Sequence, residues 1–375
     1  VNLKRLLLYT LLVHAAFACA RVDLSLFALH LKASSLTVGV IMSLLAVIPM
    51  VVSIHAGRYI DRVGPRGPML LGTVLVLAGI ILAAALPRLE TLFFVAPTMG
   101  LGFLFFHIGA HQAAGMIGKD GNHTHNFGML AIAFSASSFI GPMLAGFSID
   151  YLGHRPTFVV AMVIAAVAVV LMARDKGDIQ PPRPSGPGRK RQVKDLLRSK
   201  ELRPVLIVSG LLSMSWDLFN FAVPIYGVGI GLSASRIGMI LGAFGIAIFF
   251  VRLAVPLLAR HVTEWQTLIG SMLITGASFA AFPFVTDPLL LAGIAFMTGF
   301  GLGTGQPMIM ALIYRRAPEG RAGEVVGVRS MVLNLSQTGM PLITGAFGAA
   351  LGMAPGFVLM AVLLAAGSWH VRRQR

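Results

Sequence analysis

Displaced by 199 residues, the sequence lies over itself from its first apolar stretch to its last without a gap. Gly39 falls on Gly238, Gly100 and Gly102 on Gly299 and Gly301, and Gly128 on Gly327. Pro142 falls on Pro341, Gly146 on Gly345, and Gly153, Pro156 and Phe158 on Gly352, Pro355 and Phe357. One coincidence means little in a chain with 42 glycines, but nine in a single register point to a duplicated unit. Apolar stretches of roughly 18–25 residues recur through both copies, the reach a helix needs to cross about 30 Å of hydrocarbon. Duplicated hydrophobic units of this kind build many membrane carriers, with a site between the repeats near the bilayer midplane.

Composition supports the membrane reading. Hydrophobic residues make up 56% of the chain, charged ones 12%, and the mean hydropathy is +0.83. A soluble chain carries roughly twice that share of charge. The pattern predicts an all-α integral membrane protein with twelve spans, near 6–29, 37–56, 68–86, 91–117, 127–149, 156–173, 205–226, 236–259, 266–285, 288–313, 325–350 and 355–370. These group into an N-terminal six-helix bundle (1–173), a basic Pro/Gly-rich linker (174–204) and a C-terminal six-helix bundle (205–375). Within the linker, 193–200 is expected to form a short surface helix, and the Arg189-Lys190-Arg191 cluster suits anionic headgroups.

The net charge of +16 reports orientation. With the N-terminus in the cytoplasm, the cytoplasmic segments hold 23 of the 30 Lys and Arg residues, while only Lys32, Arg88, Arg155 and Arg236 lie opposite. Arg21, Arg252 and Arg329 lie inside spans. Such asymmetry follows the positive-inside rule and places both termini in the cytoplasm, so no nucleic-acid partner is expected. Cys19 is alone, which excludes a disulfide framework and a cysteine metal site. The opening Lys4-Arg5 and the apolar run behind it resemble a signal peptide. The run is too long and contains Arg21 and Asp23, so it reads as a retained first helix.

Between spans 2 and 3 stands Gly57-Arg58-Tyr59-Ile60-Asp61-Arg62-Val63-Gly64-Pro65-Arg66. Physically, Gly57 allows a close helix approach, Asp61 can accept backbone N–H bonds at a helix start, Arg62 and Arg66 suit the headgroup level, and Gly64-Pro65 makes a turn. The segment resembles the signature loop of the major facilitator superfamily, and the resemblance covers the whole chain. It implies two pseudo-symmetric six-helix bundles, no enzymatic activity, alternating access, and contact between Asp61 and the start of span 11 near Glu324–Arg329. The second-half equivalent has decayed: Asp61 meets Arg260 and Arg62 meets His261 under the offset. Span 5 carries Ser137-x-x-x-Gly141-Pro142-x-x-Ala145-Gly146, similar to the small-residue motif of proton-coupled drug antiporters of that superfamily. Pro341 and Gly345 form a partial copy, so helix packing alone is the competing explanation. The resemblance to this bacterial efflux branch implies a monomer in the bacterial inner membrane, driven by the proton gradient, without cofactor or resident metal. The arginine expected in span 4 of the antiporters has no counterpart, and His107 and His111 occupy that stretch.

Ionisable side chains within spans are costly and usually face a wet interior. His14, Arg21 and Ser25 share one face of span 1, and Ser213, Asp217, Asn220 and Pro224 repeat that stripe in span 7. The offset pairs His14 with Ser213, Arg21 with Asn220, and His107 with Gln306. In the superfamily, spans 1, 4, 7 and 10 line the central cavity. The resemblance therefore implies a polar cavity built from these residues, with Asn334 and Gln337 of span 11 as further lining. Asp217, mid-span, is the expected proton carrier, because removal from water penalises the ionised carboxylate; a structural Asp217–Arg21 lock is the alternative. Asp23 suits a rim or gate. Trp216 and Tyr226 can pack against an organic substrate. Arg252 and Arg329 can snorkel, pair with Asp61 or Glu324, or attract an anion.

The leading expectation is proton-coupled efflux of a small organic molecule, with uptake by symport of a metabolite or organic anion as the rival. No Gly-x-x-x-x-Gly-Lys-Ser/Thr loop exists, so ATP is not used directly. A membrane-embedded metal enzyme using His107, His111, His123 and His125 is the distant alternative; it leaves the repeat unexplained.

Overall fold

The computed structural model describes residues 2–117, 123–175, 201–258, 262–316 and 322–373. Among them are twelve long helices: α1 (Leu3–His30), α2 (Ser35–Val63), α3 (Arg66–Ala85), α4 (Leu89–Met116), α5 (His123–Leu152), α6 (His154–Arg174), α7 (Arg203–Gly229), α8 (Ala234–Leu258), α9 (Glu264–Ala281), α10 (Pro288–Arg316), α11 (Ala322–Leu351) and α12 (Ala354–Arg373). A 3-10 turn, Phe282–Phe284, follows α9. The expected linker helix at 193–200 and the pair Arg260 and His261 lie outside the described residues, as do the side chains of His123 and Glu324.

Helix starts are written locally. Asn2 Oδ1 accepts the Arg5 N–H at 3.0 Å, Ser34 Oγ accepts that of Thr37 at 3.2 Å, and Thr263 forms a reciprocal capping box with Gln266. Eleven of the helices are long and apolar enough to cross a membrane. The twelfth, α11, is equally long but carries Glu324, Arg329, Asn334 and Gln337 along its length. Exposed Phe94, Tyr151, Phe284 and Leu289 form part of an apolar belt suited to lipid.

Packing repeats as the sequence does. In the first half α1 packs on α5 and α6, α3 on α4 and α6, and α2 on α4. In the second half α7 packs on α11 and α12, α9 on α10 and α12, and α8 on α10, each contact the counterpart of one in the first half. The halves meet through α2 with α11 and α5 with α8, again a matched pair. The repeated glycines sit at these crossings. A Cβ on Gly39 would strike the Pro341 carbonyl oxygen and approach the Gly345 Cα at 3.4 Å, while one on Gly238 would lie 2.6 Å from the Pro142 carbonyl and 3.1 Å from the Gly146 Cα. Likewise Gly100 abuts the Leu45 carbonyl and Gly299 the Phe244 carbonyl, residues that are themselves offset mates. Phe158 and Phe357 are both fully buried.

Alternating helix directions give the bundle two faces. The basic face carries the start of α1 and the α2–α3 turn. The far face carries the α1–α2, α5–α6, α7–α8 and α11–α12 turns. Both glycine crossings between the halves lie toward the far face, near the starts of α2 and α8. Asp150, at the end of α5, adds hydrogen bonds across the halves to the backbone N–H groups of Ala234 (3.0 Å) and Ser235 (2.8 Å) at the start of α8. The far face is therefore closed in this conformation.

Candidate functional site

Between the halves lies a cavity of about 100 Å³. From α1 come His14, Phe17, Ala18, Arg21, Val22 and Ser25, and from α7 come Trp216, Asn220 and Pro224. The walls are completed by α2, α5 and α8, through Met42, Ser138, Pro142, Leu241 and Phe244. His14, Arg21 and Ser25 of α1 thus line one wall of the cavity. The α7 stripe does so only through Asn220 and Pro224, joined by Trp216.

Asp217 is buried, 6% exposed, and its Oδ2 accepts a hydrogen bond from Ser336 Oγ of α11 at 2.6 Å. It is turned toward α11 rather than into the cavity wall. Arg21 and Asp217 sense each other electrostatically, yet they form no ion pair within 4 Å. Ser213 is buried with its hydroxyl unpartnered. His14 shares a 2.6 Å hydrogen bond with Ser137 of α5 and stacks on Phe103 at 5.3 Å between ring centroids.

Helices α4 and α10 contribute no residue to the lining of this cavity, although His107 of α4 is exposed and His111 and Gln306 are half-buried. Their glycines draw them behind α2 and α8, which occupy the wall instead. The His107 and His111 rings meet at a tilt, 4.3 Å apart; His107 also meets Phe134 at a tilt (5.2 Å), His111 stacks on Phe134 (5.6 Å), and His111 Nδ1 bonds the His107 carbonyl. Among the described residues no group of three or more His, Cys, Asp or Glu gathers to hold a metal ion. Gln306 accepts a hydrogen bond from Arg329, whose Nε donates to Ser209 Oγ at 3.1 Å. Asn334 is half-buried and Gln337 exposed. Arg252 donates to the Ala131 carbonyl (2.6 Å) and to Ser135 Oγ (2.5 Å), tying α8 to α5.

Gly57, Asp61 and Arg62 belong to the last turns of α2, and Gly64, at φ 82°, with Pro65 makes the turn into α3 at Arg66. No atom lies within 4 Å of a Cβ on Gly57, so it serves no close approach. Asp61 does not cap α3, whose start has no side-chain cap. Its Oδ1 accepts from Gln112 Nε2 at 2.9 Å, within its own half, and Arg329 is engaged elsewhere. In the span-5 motif, Gly141 packs against Ala18 and Cys19 of α1, while Pro142 and Gly146 form the crossing with Gly238. Pro341 and Gly345 do the same against Gly39. Both copies therefore serve helix packing.

Three participants carried no signal of their own in the sequence. Ser336 escaped notice, although the offset pairs it with Ser137. His154, at the start of α6, sits 2.5 Å through Nδ1 from Oδ1 of the fully buried Asp23, with the His30 ring 4.9 Å away. Asp150 stands at the end of α5, where nothing in the pattern points to its bonds with the start of α8.

A sequence model of the Major Facilitator Superfamily matches residues 6–337 and again 205–374. The chain is 22% identical over 268 residues to the uncharacterized MFS-type transporter YceJ of Bacillus subtilis (strain 168), covering 71% of this chain and 68% of that one. It is 22% identical over 371 residues to the multidrug resistance protein MdtG of Dickeya zeae (strain Ech586), covering 95% and 90%. Its fold superposes on the crystal structure of a mutant of the nucleoside transporter NupG with a TM-score of 0.82 at 13% identity, covering 99% of each chain. The protein belongs to the Major Facilitator Superfamily, as a multi-pass membrane carrier of small molecules.

Proposed function

We propose that the protein is a proton-linked carrier of a small organic molecule, set in the bacterial inner membrane with its basic face in the cytoplasm. The orientation rests on the 23 of 30 Lys and Arg residues gathered on that face. The observation that carries proton linkage is Asp217: a buried carboxylate at mid-helix, held by Ser336 and facing Arg21 electrostatically across the interface. A carboxylate so placed binds and releases a proton as the halves rock and its access to water changes. Export is supported by the similarity to a multidrug resistance protein over nearly the whole chain.

One observation favours the opposite sense. Among the described residues Arg21 has no carboxylate within 4 Å, and an anion placed on it is attracted most when Asp217 is neutral. Proton and cargo then travel together, inward. Flux in proteoliposomes with an imposed pH gradient tests both readings. Cargo moving against the proton flow marks exchange, and cargo moving with it marks symport. Flux indifferent to the gradient contradicts proton linkage.

A further inference from the structure

The membrane-embedded part of the interface is electrically unbalanced. Its three guanidiniums, Arg21, Arg252 and Arg329, have no carboxylate within 4 Å among the described residues, where the ion pairs are Arg5–Asp175, His154–Asp23 and Arg315–Glu264. Arg252 and Arg329 are satisfied by neutral acceptors on neighbouring helices. Arg21 differs: it lines the cavity and makes no hydrogen bond to another of the described residues. An unpaired cation at this depth is expensive and is satisfied by water or by cargo. Opposite it, Asn220 Nδ2 donates to the Trp216 carbonyl at 2.9 Å, which leaves its Oδ1 free to accept from a bound molecule. The remaining walls are aromatic: Phe17, Trp216 and Phe244, with the last two in edge contact at 5.0 Å.

We infer that the cargo is a small organic carboxylate with a flat apolar body, its charge held by Arg21 and its body packed between Phe17, Trp216 and Phe244. A guanidinium offers a planar fork that matches a carboxylate bidentately, and aromatic walls replace the water lost by the body. The same cation repels amines, so organic cations are poor cargo. The inference rests on this cavity being the transport site and names the chemistry that site accepts.

The test is equilibrium binding to the purified full chain of two probes of one shape and opposite charge, 2-naphthoate and 2-naphthylmethylammonium. Naphthoate should bind at least about tenfold tighter, with Arg21→Gln removing the preference and Arg21→Lys keeping part of it. Naphthoate should also quench tryptophan emission in the wild type and fail to do so in Trp216→Phe, which reports the site independently of Arg21. Equal or tighter binding of the ammonium, a preference that survives Arg21→Gln, unchanged quenching in Trp216→Phe, or no naphthoate binding at millimolar concentration each overturns the inference. Vesicle flux separates it from the carrier reading. Protein that moves the ammonium but not naphthoate remains a carrier and loses the inference. Protein that binds naphthoate here yet moves neither probe keeps the chemistry assigned to the site and contradicts the reading of this cavity as the transport site.

Discussion

Ser137 and Ser336, 199 residues apart, each hydrogen-bond the central ionisable side chain of their own half. Ser137 on α5 bonds His14 of α1 at 2.6 Å, and Ser336 on α11 bonds Asp217 of α7 at 2.6 Å. The repeat thus preserves the holder while the held residue differs, histidine one turn away from the position its counterpart would occupy. Asp217→Asn keeps an acceptor for Ser336, so the protein should fold while its flux loses dependence on the pH gradient. Full coupling in that variant would remove Asp217 as the carrier.

Ser336→Ala tests the holder. It leaves a buried carboxylate without its donor, at a cost of about 1–3 kcal/mol. The expected result is a lowered melting temperature in detergent together with altered pH dependence of flux. Ser137→Ala should lower stability and leave proton coupling intact, because its partner is His14. Matching effects of the two variants on coupling contradict the division of roles.

Gly238→Val places side-chain atoms where the Pro142 carbonyl and Gly146 backbone now lie. Backbone atoms cannot yield as a flexible side chain does, so far-face closure is penalised by about 1–3 kcal/mol. Cysteines placed near the starts of α2 and α8 should then react faster with a membrane-impermeant maleimide. Gly293→Val, where a Cβ meets nothing within 4 Å, is the control and should leave reactivity unchanged.

Asp150→Ala removes the acceptor that α5 offers to the first two N–H groups of α8. A cap of this kind contributes about 1 kcal/mol, roughly a fivefold change in the ratio of far-closed to far-open protein. The same maleimide assay reads the shift. The change should favour the far-open state, and a shift toward the closed state contradicts the contact's role.

Much of the architecture was legible because glycine spacing records helix crossings directly. Gly39 with Gly345 and Gly238 with Gly146 are contacts that only an absent side chain permits, and the 199-residue register displays them as matches. The cavity was half legible. The α1 stripe faces inward at helical period, but the α7 stripe was read as a copy, whereas the turn toward α11 depends on Ser336, a residue distant in sequence. His107 and Gln306 looked like lining because they are polar and matched. In the structure they contact Phe134 and Arg329 on neighbouring helices, partners that periodicity does not reveal. The expected partner region of Asp61 at the start of α11 lies partly outside the described residues; among those described, Asp61 meets Gln112 of α4.

The central claim is that the halves rock about the cavity and that the far face must open in every cycle. A Cβ built on Gly348 of α11 lies 3.5 Å from the Ser35 Cβ of α2, within the range that a disulfide spans, and the nearby Met353 side chain is flexible enough to move aside. In a Cys19→Ala background, Ser35→Cys combined with Gly348→Cys should cross-link on oxidation, abolish flux in proteoliposomes, and regain it on reduction. Undiminished flux through fully cross-linked protein would contradict the account.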